Sequence, residues 1–198
     1  MASAPLQLRF VMSATSVRDL PPTRAEVAIV GRSNVGKSSL LNALARRRDL
    51  AKTSKTPGRT QLLNLFSLGD DPLTGGSVMD LPGYGFAKVP ARVRATWGPM
   101  IEGYLLGREG LRLTLVLVDG EVGPTALDVQ TLEWFQHEGI EHRVIATKHD
   151  KVKPSRRDAR KKELAAKCGL EPKQVLWVSA SKDVNIDELR NRVRDWLA

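Results

Sequence analysis

The chain has 198 residues, a 41% apolar share, and 31 Lys+Arg against 22 Asp+Glu, giving a formal net charge of +9 and a pI near 10.0. That length suits one domain with short extensions, and the apolar share supplies a real core, which excludes disorder as the default. The charge favours a polyanionic partner, nucleic acid before an acidic membrane, with a merely soluble basic surface as the alternative.

The chain opens with a short apolar patch, Leu8 to Met12, read as an extra strand or arm, and Pro21-Pro22 separates it from the first core strand. Residues 1–22 are therefore expected as an arm and residues 23–198 as one domain. Ala25 to Val30 reads as a buried strand and Ser38 to Arg47 as the helix after it. Gln61 to Leu68 and Ser77 to Asp80 read as a strand pair joined by a polar loop containing Gly75-Gly76. Leu111 to Val118, His142 to Thr147 and Val175 to Ser179 are three further strands. Helical patterns separate them at about 92–106, 126–138 and 156–166. A last helix is expected from Asn185, with its side chain as cap and Glu188 completing a capping box. Strands alternating with helices predict an α/β fold, a mostly parallel sheet with helices on both faces.

Between the first core strand and its helix stands Gly31-Arg32-Ser33-Asn34-Val35-Gly36-Lys37-Ser38, which fits G-x-x-x-x-G-K-[ST] without mismatch. Glycines at these positions let backbone N–H groups curl around phosphates at a helix N-terminus. Lys37 can reach the β- and γ-phosphates and the Ser38 hydroxyl can ligate magnesium. A chance Gly-rich turn would not bring this strand–loop–helix context with it.

Thr147-Lys148-His149-Asp150 ends a predicted strand, where a base-recognition loop belongs. A carboxylate at Asp150 can accept two hydrogen bonds from guanine N1–H and its 2-amino group, whereas adenine would leave it unpaired. Taken alone the tetrapeptide also reads as a solvated loop. Val178-Ser179-Ala180-Ser181 closes the final strand, where a backbone N–H could meet guanine O6. Asp80-Leu81-Pro82-Gly83 is a D-x-x-G at a strand end, in which Asp80 would hold magnesium through water and the Gly83 N–H would sense a γ-phosphate. The polar segment from Thr53 to Leu62, with Pro57 and Gly58, has the composition of a switch loop. Together these motifs predict the three-layer P-loop fold of a Ras-like G domain, with one antiparallel strand, binding and hydrolysing GTP.

GRSNVGKSSLLNAL, KTSKTPGRTQLLNLF, DLPGYGFAKV and TKHDK, in this order, resemble the EngB (YihA/YsxC) family of bacterial GTPases, in the TrmE-Era-EngA-EngB class. The similarity runs over nearly the whole chain, including FVMSA near the start. It implies Thr60 as a magnesium ligand and catalytic residue with Lys37 and Gly83, and nucleotide contacts from Gly58, Arg59, Thr60, Gln61 and Leu62. It also implies a role in large ribosomal subunit assembly, on which normal cell division and septation depend. Two departures stand out: His149 replaces a small residue of the family's base motif, and the loop from Gly69 to Ser77 is longer than its usual hairpin.

Tyr84 stands where Ras-like enzymes carry a water-orienting glutamine, which predicts slow intrinsic hydrolysis. Asn34 either helps seat potassium beside the phosphates, as in potassium-stimulated relatives, or stabilises the loop locally. From Lys151 to Lys167 there are eight basic residues (151, 153, 156, 157, 160, 161, 162, 167) and two acidic ones, a net +6 within the chain's +9. This segment reads either as an RNA-docking patch or as a solvated helix. The four tryptophans (97, 134, 177, 196) read as packing residues and not as base-stacking platforms. Cys168 is the only cysteine, so no internal disulfide forms, and no stretch has the length of a membrane span. With no secretory signal in the sequence, a cytoplasmic monomer is expected, partnered by GTP or GDP and ribosomal RNA. A metabolic P-loop kinase would need an acceptor pocket and lid, and a nucleotide-gated regulator of division proteins with negligible turnover is the remaining rival.

Overall fold

A computed structural model describes residues 3–51, 62–84 and 91–198. Seven strands form one sheet: β1 (Leu8–Ala14), β2 (Glu26–Gly31), β3 (Leu63–Leu68), β4 (Ser77–Asp80), β5 (Leu111–Asp119), β6 (His142–Thr147) and β7 (Leu176–Trp177). Their order is β1-β3-β4-β2-β5-β6-β7. β3 pairs antiparallel with both β1 and β4, and every other pairing is parallel, so one strand runs against the remaining six. The helices are α1 (Lys37–Ala45), α2 (Pro72–Gly75), α3 (Ala91–Gly107), α4 (Ala126–His137), α5 (Arg157–Lys167) and α6 (Ile186–Leu197). The short α2 fills the long loop between β3 and β4.

Alternation along the central strands divides the core in two. Val27 and Ile29 of β2, with Leu113, Leu115 and Leu117 of β5, pack beneath α1 and α6. Ala28, Val30, Val116 and Val118 face the opposite way, against Tyr104, Leu132, Phe135 and Leu164 of α3, α4 and α5. Strands buried on both faces read as continuous apolar runs, and this is why β2 and β5 stand out in the sequence. The apolar patch near the N-terminus is β1, laid against β3 with a bulge between Phe10 and Met12. Leu6 and Leu8 are buried beside α1.

Two buried charges brace the scaffold. Arg190 of α6 donates to the carbonyls of Leu44 (2.9 Å) and Ala43 (2.5 Å), satisfying the C-terminal end of α1. At the opposite end of β2 from Gly31, Glu26 is fully buried and accepts hydrogen bonds from the Tyr104 hydroxyl in the last turn of α3 and from Arg108 Nε (3.1 Å) just beyond it. Ser77 and Thr23 add hydroxyl donors to the same carboxylate at 3.3 Å each.

The expected cap of the last helix differs. Asn185 adopts a left-handed φ of 55° and its side-chain amide donates to the Trp177 carbonyl at 2.8 Å. Glu188 instead pairs with Arg192 one turn on. A tertiary acceptor at the end of β7 outcompetes the local N–H groups for the amide. Of the tryptophans, Trp177 is buried and Trp134 and Trp196 pack against the two cores.

Candidate functional site

Every strand-end motif lies at the same end of the sheet. β2 delivers Gly31, whose added Cβ would stand 2.9 Å from the Leu117 carbonyl oxygen and 3.0 Å from Val35 Cγ1, so no side chain fits there. The loop then turns through two left-handed residues, Asn34 (φ 62°) and Gly36 (φ 110°), before α1 begins at Lys37. Asparagine is among the few side chains that tolerate this region, which accounts locally for Asn34. Its exposed side chain makes no hydrogen bond among the described residues. Val35 is buried, and Arg32, Ser33 and Ser38 are half-buried along the loop.

The Asp80–Gly83 segment returns against this loop. Leu81 N–H donates to Ile29 (3.0 Å), Tyr84 N–H to Gly31 (3.3 Å), and Ser33 N–H to Tyr84 (3.3 Å). Gly83 stands so close that a Cβ there would lie 2.9 Å from Lys37 Nζ and 3.2 Å from the Ser33 nitrogen. Burial pushes the Asp80 carboxyl up to about 6, although the Lys37 ammonium and a hydrogen bond from Asn64 act the other way. Burial lowers the Lys37 pKa, with Asp80 opposing. Asp80 Oδ1 and Ser33 Oγ are buried without a hydrogen-bond partner among the described residues. A desolvated carboxylate with a spare oxygen, beside a phosphate-type loop, suits a hard divalent cation such as magnesium.

Base-loop geometry is fixed by side chains from three strands. The Thr147 hydroxyl donates to the Val35 carbonyl at 2.7 Å, tying β6 to the phosphate loop. Lys148 takes a left-handed φ of 56° and its ammonium meets Asp119 Oδ2 at 2.6 Å. His149 N–H donates to Val178 at 3.1 Å, and its ring stands edge-on to Trp177 with centroids 5.8 Å apart. The Ser179 hydroxyl donates to Asp150 Oδ1 at 2.6 Å. Burial alone would raise the Asp150 pKa, but the Ser179 and Ser181 hydrogen bonds and nearby Lys151 hold it below the usual carboxylate range. Asp150 is thus kept ionised as an acceptor, with half-buried Ala180 and exposed Ser181 beside it.

The structure therefore gathers Gly31 to Ser38, Asp80 to Gly83, Thr147 to Asp150 and Val178 to Ser181 around one region. Leu62 is half-buried just before β3. Gly58, Arg59, Thr60 and Gln61 lie outside the described residues.

Three residues of the site were not singled out from the sequence. Asp119, at the end of β5, accepts from the Glu121 (2.9 Å) and Val122 (3.1 Å) N–H groups as well as from Lys148. Asp128, fully buried in the first turn of α4, accepts from the Tyr84 hydroxyl (2.9 Å), the Thr125 N–H (2.8 Å) and the Thr125 hydroxyl (2.7 Å). Arg32 Nε lies 3.4 Å from the same carboxylate, so Asp128 joins the phosphate loop, the residue after Gly83 and α4. Asn64 of β3 links the Ser13 hydroxyl (2.6 Å) on β1 to the Asp80 carboxylate. A T-x-x-D preceding an apolar helix was the available signal for Asp128, whereas Asn64 carries none.

A family model described as 50S ribosome-binding GTPase matches residues 26–148. A Desulforamulus reducens protein bearing the name Probable GTP-binding protein EngB is 53% identical over 144 residues, 72% of this chain and 69% of its own. A Geotalea daltonii protein of the same name is 41% identical over 191 residues, 96% of this chain and 90% of its own. Among solved structures, a probable GTP-binding protein engB superimposes with a TM-score of 0.69 at 24% identity, covering 87% of this chain and 98% of that one. Era in complex with MgGDPNP and nucleotides 1506–1542 of 16S ribosomal RNA gives a TM-score of 0.67 at 24% identity, covering 90% of this chain and 58% of that one. These two likenesses are of fold.

Proposed function

Because the chain belongs to the EngB family of GTP-binding GTPases, we propose that it acts as a GTP-driven switch in large ribosomal subunit assembly, on which normal cell division and septation depend. The observation that carries the reading is the meeting of phosphate loop, Asp80–Gly83 segment and ionised Asp150 at one end of one sheet. Backbone N–H groups from Gly31 to Ser38 hold the phosphates and Lys37 sets its charge against the β- and γ-groups. Asp150 selects guanine, because adenine would leave its carboxylate desolvated and unpaired. Ser38, Thr60 and Asp80 are the residues to hold magnesium, which when bound neutralises charge on the phosphate oxygens. The Gly83 N–H reports the γ-phosphate to the residues after it.

Slow turnover follows from Tyr84. Its hydroxyl proton is committed to Asp128, and burial together with that carboxylate pushes its pKa far up, so it stays a neutral phenol and offers no base to water. Asn34, exposed beside the phosphate loop, is placed to seat potassium, which would supply additional charge there. Potassium in place of sodium should raise the hydrolysis rate and Asn34→Ala should abolish the difference. Equal rates in both salts would remove potassium from the reading.

Co-sedimentation with purified large ribosomal subunits tests the switch. Binding should be stronger with a non-hydrolysable GTP analogue than with GDP. No binding, or equal binding in both nucleotide states, refutes the proposal.

A further inference from the structure

The net +6 of residues 151–167 is not spread evenly over the molecule. Toward the C-terminal end of α5, Glu163 pairs with Arg160 (3.1 Å) and Lys167 (3.1 Å). Arg160 also points toward the loop after β5, where a Cβ on Gly123 would lie 3.1 Å from its guanidinium. Arg157 turns inward, its Nε donating to the Val152 carbonyl at 3.2 Å. That leaves Lys151, Lys153, Arg156 and Lys162 exposed, with no direct ion-pair contact or side-chain hydrogen bond among the described residues, while Lys151 acts on Asp150 and Arg156 on Glu163 through space. Lys151 shares a short turn with His149, which Arg157 and Lys161 face from α5.

We infer that the Lys151–Lys162 face is a docking surface for an RNA sugar-phosphate backbone, and that it contributes the same affinity whether GDP or GTP is bound. The inference rests on the ribosomal reading above and adds the face and its indifference to the nucleotide.

Charge chemistry selects the occupant. Among the described residues, the large exposed apolar ones (Phe10, Val11, Leu106, Val122 and Leu127) all fall outside residues 151–167, with Val122 alone next to the Gly123 that Arg160 approaches, and α5 buries its own apolar side through Leu164 and Ala165. An interfacial membrane helix needs an apolar face to insert, and this one has none to offer. Aromatic stacking is equally unavailable, since Trp177 is buried beneath His149. Cations without bases to stack on them read phosphates and not sequence.

Indifference to nucleotide comes from what the face is fastened to. Val152 N–H donates to His149 (3.2 Å), Lys151 N–H to Lys148 (2.9 Å) and His149 N–H to Val178 (3.1 Å). The Lys151 end of the face is therefore continuous with the base loop and the ends of β6 and β7. Guanine and its loop are common to GDP and GTP; only the γ-phosphate distinguishes them, and its sensor is Gly83 on β4's side of the sheet. State discrimination must then arise at a second contact.

The test is a salt titration of binding to purified large ribosomal subunits, and to a mixed-sequence RNA hairpin, for wild type and Lys153→Glu/Arg156→Glu/Lys162→Glu. Each measurement is made with GDP and with a GTP analogue. The variant should bind on the order of tenfold to a hundredfold more weakly in both states, with a log–log salt slope shallower by about 2 to 3. Its ratio of GTP-state to GDP-state affinity should match that of wild type. Unchanged affinity and slope would overturn the docking face, and loss confined to one state would overturn its indifference. Wild-type preference for phosphatidylserine vesicles over RNA would overturn the occupant. Failure of wild type to discriminate nucleotide states on the particle counts instead against the switch reading, since that ratio does not involve these three side chains.

Discussion

Tyr84→Phe removes one hydroxyl and tests whether Asp128 holds the segment after Gly83 in place. The hydroxyl donates to Asp128 at 2.9 Å, and the carboxylate keeps two bonds from Thr125 when it is gone. A hydrogen bond to a charged acceptor contributes about 1.5–3 kcal/mol, and because the tyrosine is only partly buried this one falls near the lower figure, about 1.5 kcal/mol. With a urea dependence of about 2 kcal/mol/M, the unfolding midpoint should fall by about 0.7 M. Asp128→Asn should cost more, about 2–4 kcal/mol, because it also discharges the partner of Arg32 at 3.4 Å. In the double variant the two losses should not add; a coupling of about 1 kcal/mol or more is expected for groups in direct contact. GDP affinity should survive in Tyr84→Phe, since no base-loop atom is altered. Additive losses, or an unchanged midpoint in Tyr84→Phe, would show that the bond does not anchor this segment.

Asp150→Asn keeps an oxygen for the Ser179 hydroxyl but loses the second acceptor, so GTP should weaken by on the order of a hundredfold and xanthosine triphosphate should gain, measured by calorimetry. Gly31→Ala places a Cβ 2.9 Å from a backbone oxygen on β5, so the nucleotide-free protein should lose roughly 1–3 kcal/mol in urea unfolding. A wild-type midpoint would mean that β2 and β5 yield more easily than their pairing indicates. Burial lowers the His149 pKa, Arg157 and Lys161 lower it further, and Asp150 opposes them. The unfolded chain then takes up that proton first, so His149's contribution to stability is whole above the ordinary 6.5 and is lost as pH falls through the lowered value. Lys161→Gln should move the His149 titration, followed by NMR, back toward 6.5, and an unmoved curve would separate α5 electrostatically from the base loop.

What could be read from sequence divides along the range of the forces involved. Residues such as Gly31 and Lys37 answer to a local requirement, a backbone curled around phosphates, and local requirements leave fixed spacings. Strands β2 and β5 were legible because burial on both faces leaves a run of apolar residues. Asp119 and Asn64 were not, since each acts on a partner brought near only by strand pairing, Lys148 across β5 and β6 and Asp80 across β3 and β4. Asn185 shows the converse: the local rule named the right residue at the helix start, and a tertiary acceptor then took its side chain. Within the basic segment, composition counted eight cations alike, whereas packing assigns Arg157 to a carbonyl and Arg160 and Lys167 to Glu163.

The buried Glu26 has a mechanical meaning for the chain that leaves Gly83. α3 starts at Ala91, soon after that glycine, and ends at the opposite end of the strands, where Tyr104 and the following Arg108 are clasped by Glu26 on β2. Seventeen helical residues at 1.5 Å each make a rod of about 25 Å with a fixed foot. A displacement of about 3 Å at its N-terminal end would swing the rod by roughly 7° on that length. Gly98-Pro99 lies near mid-rod, and Pro99 has no N–H to donate to the preceding turn, so bending concentrates there and spares the foot. β2 therefore holds the phosphate loop at one tip and the pivot of this lever at the other.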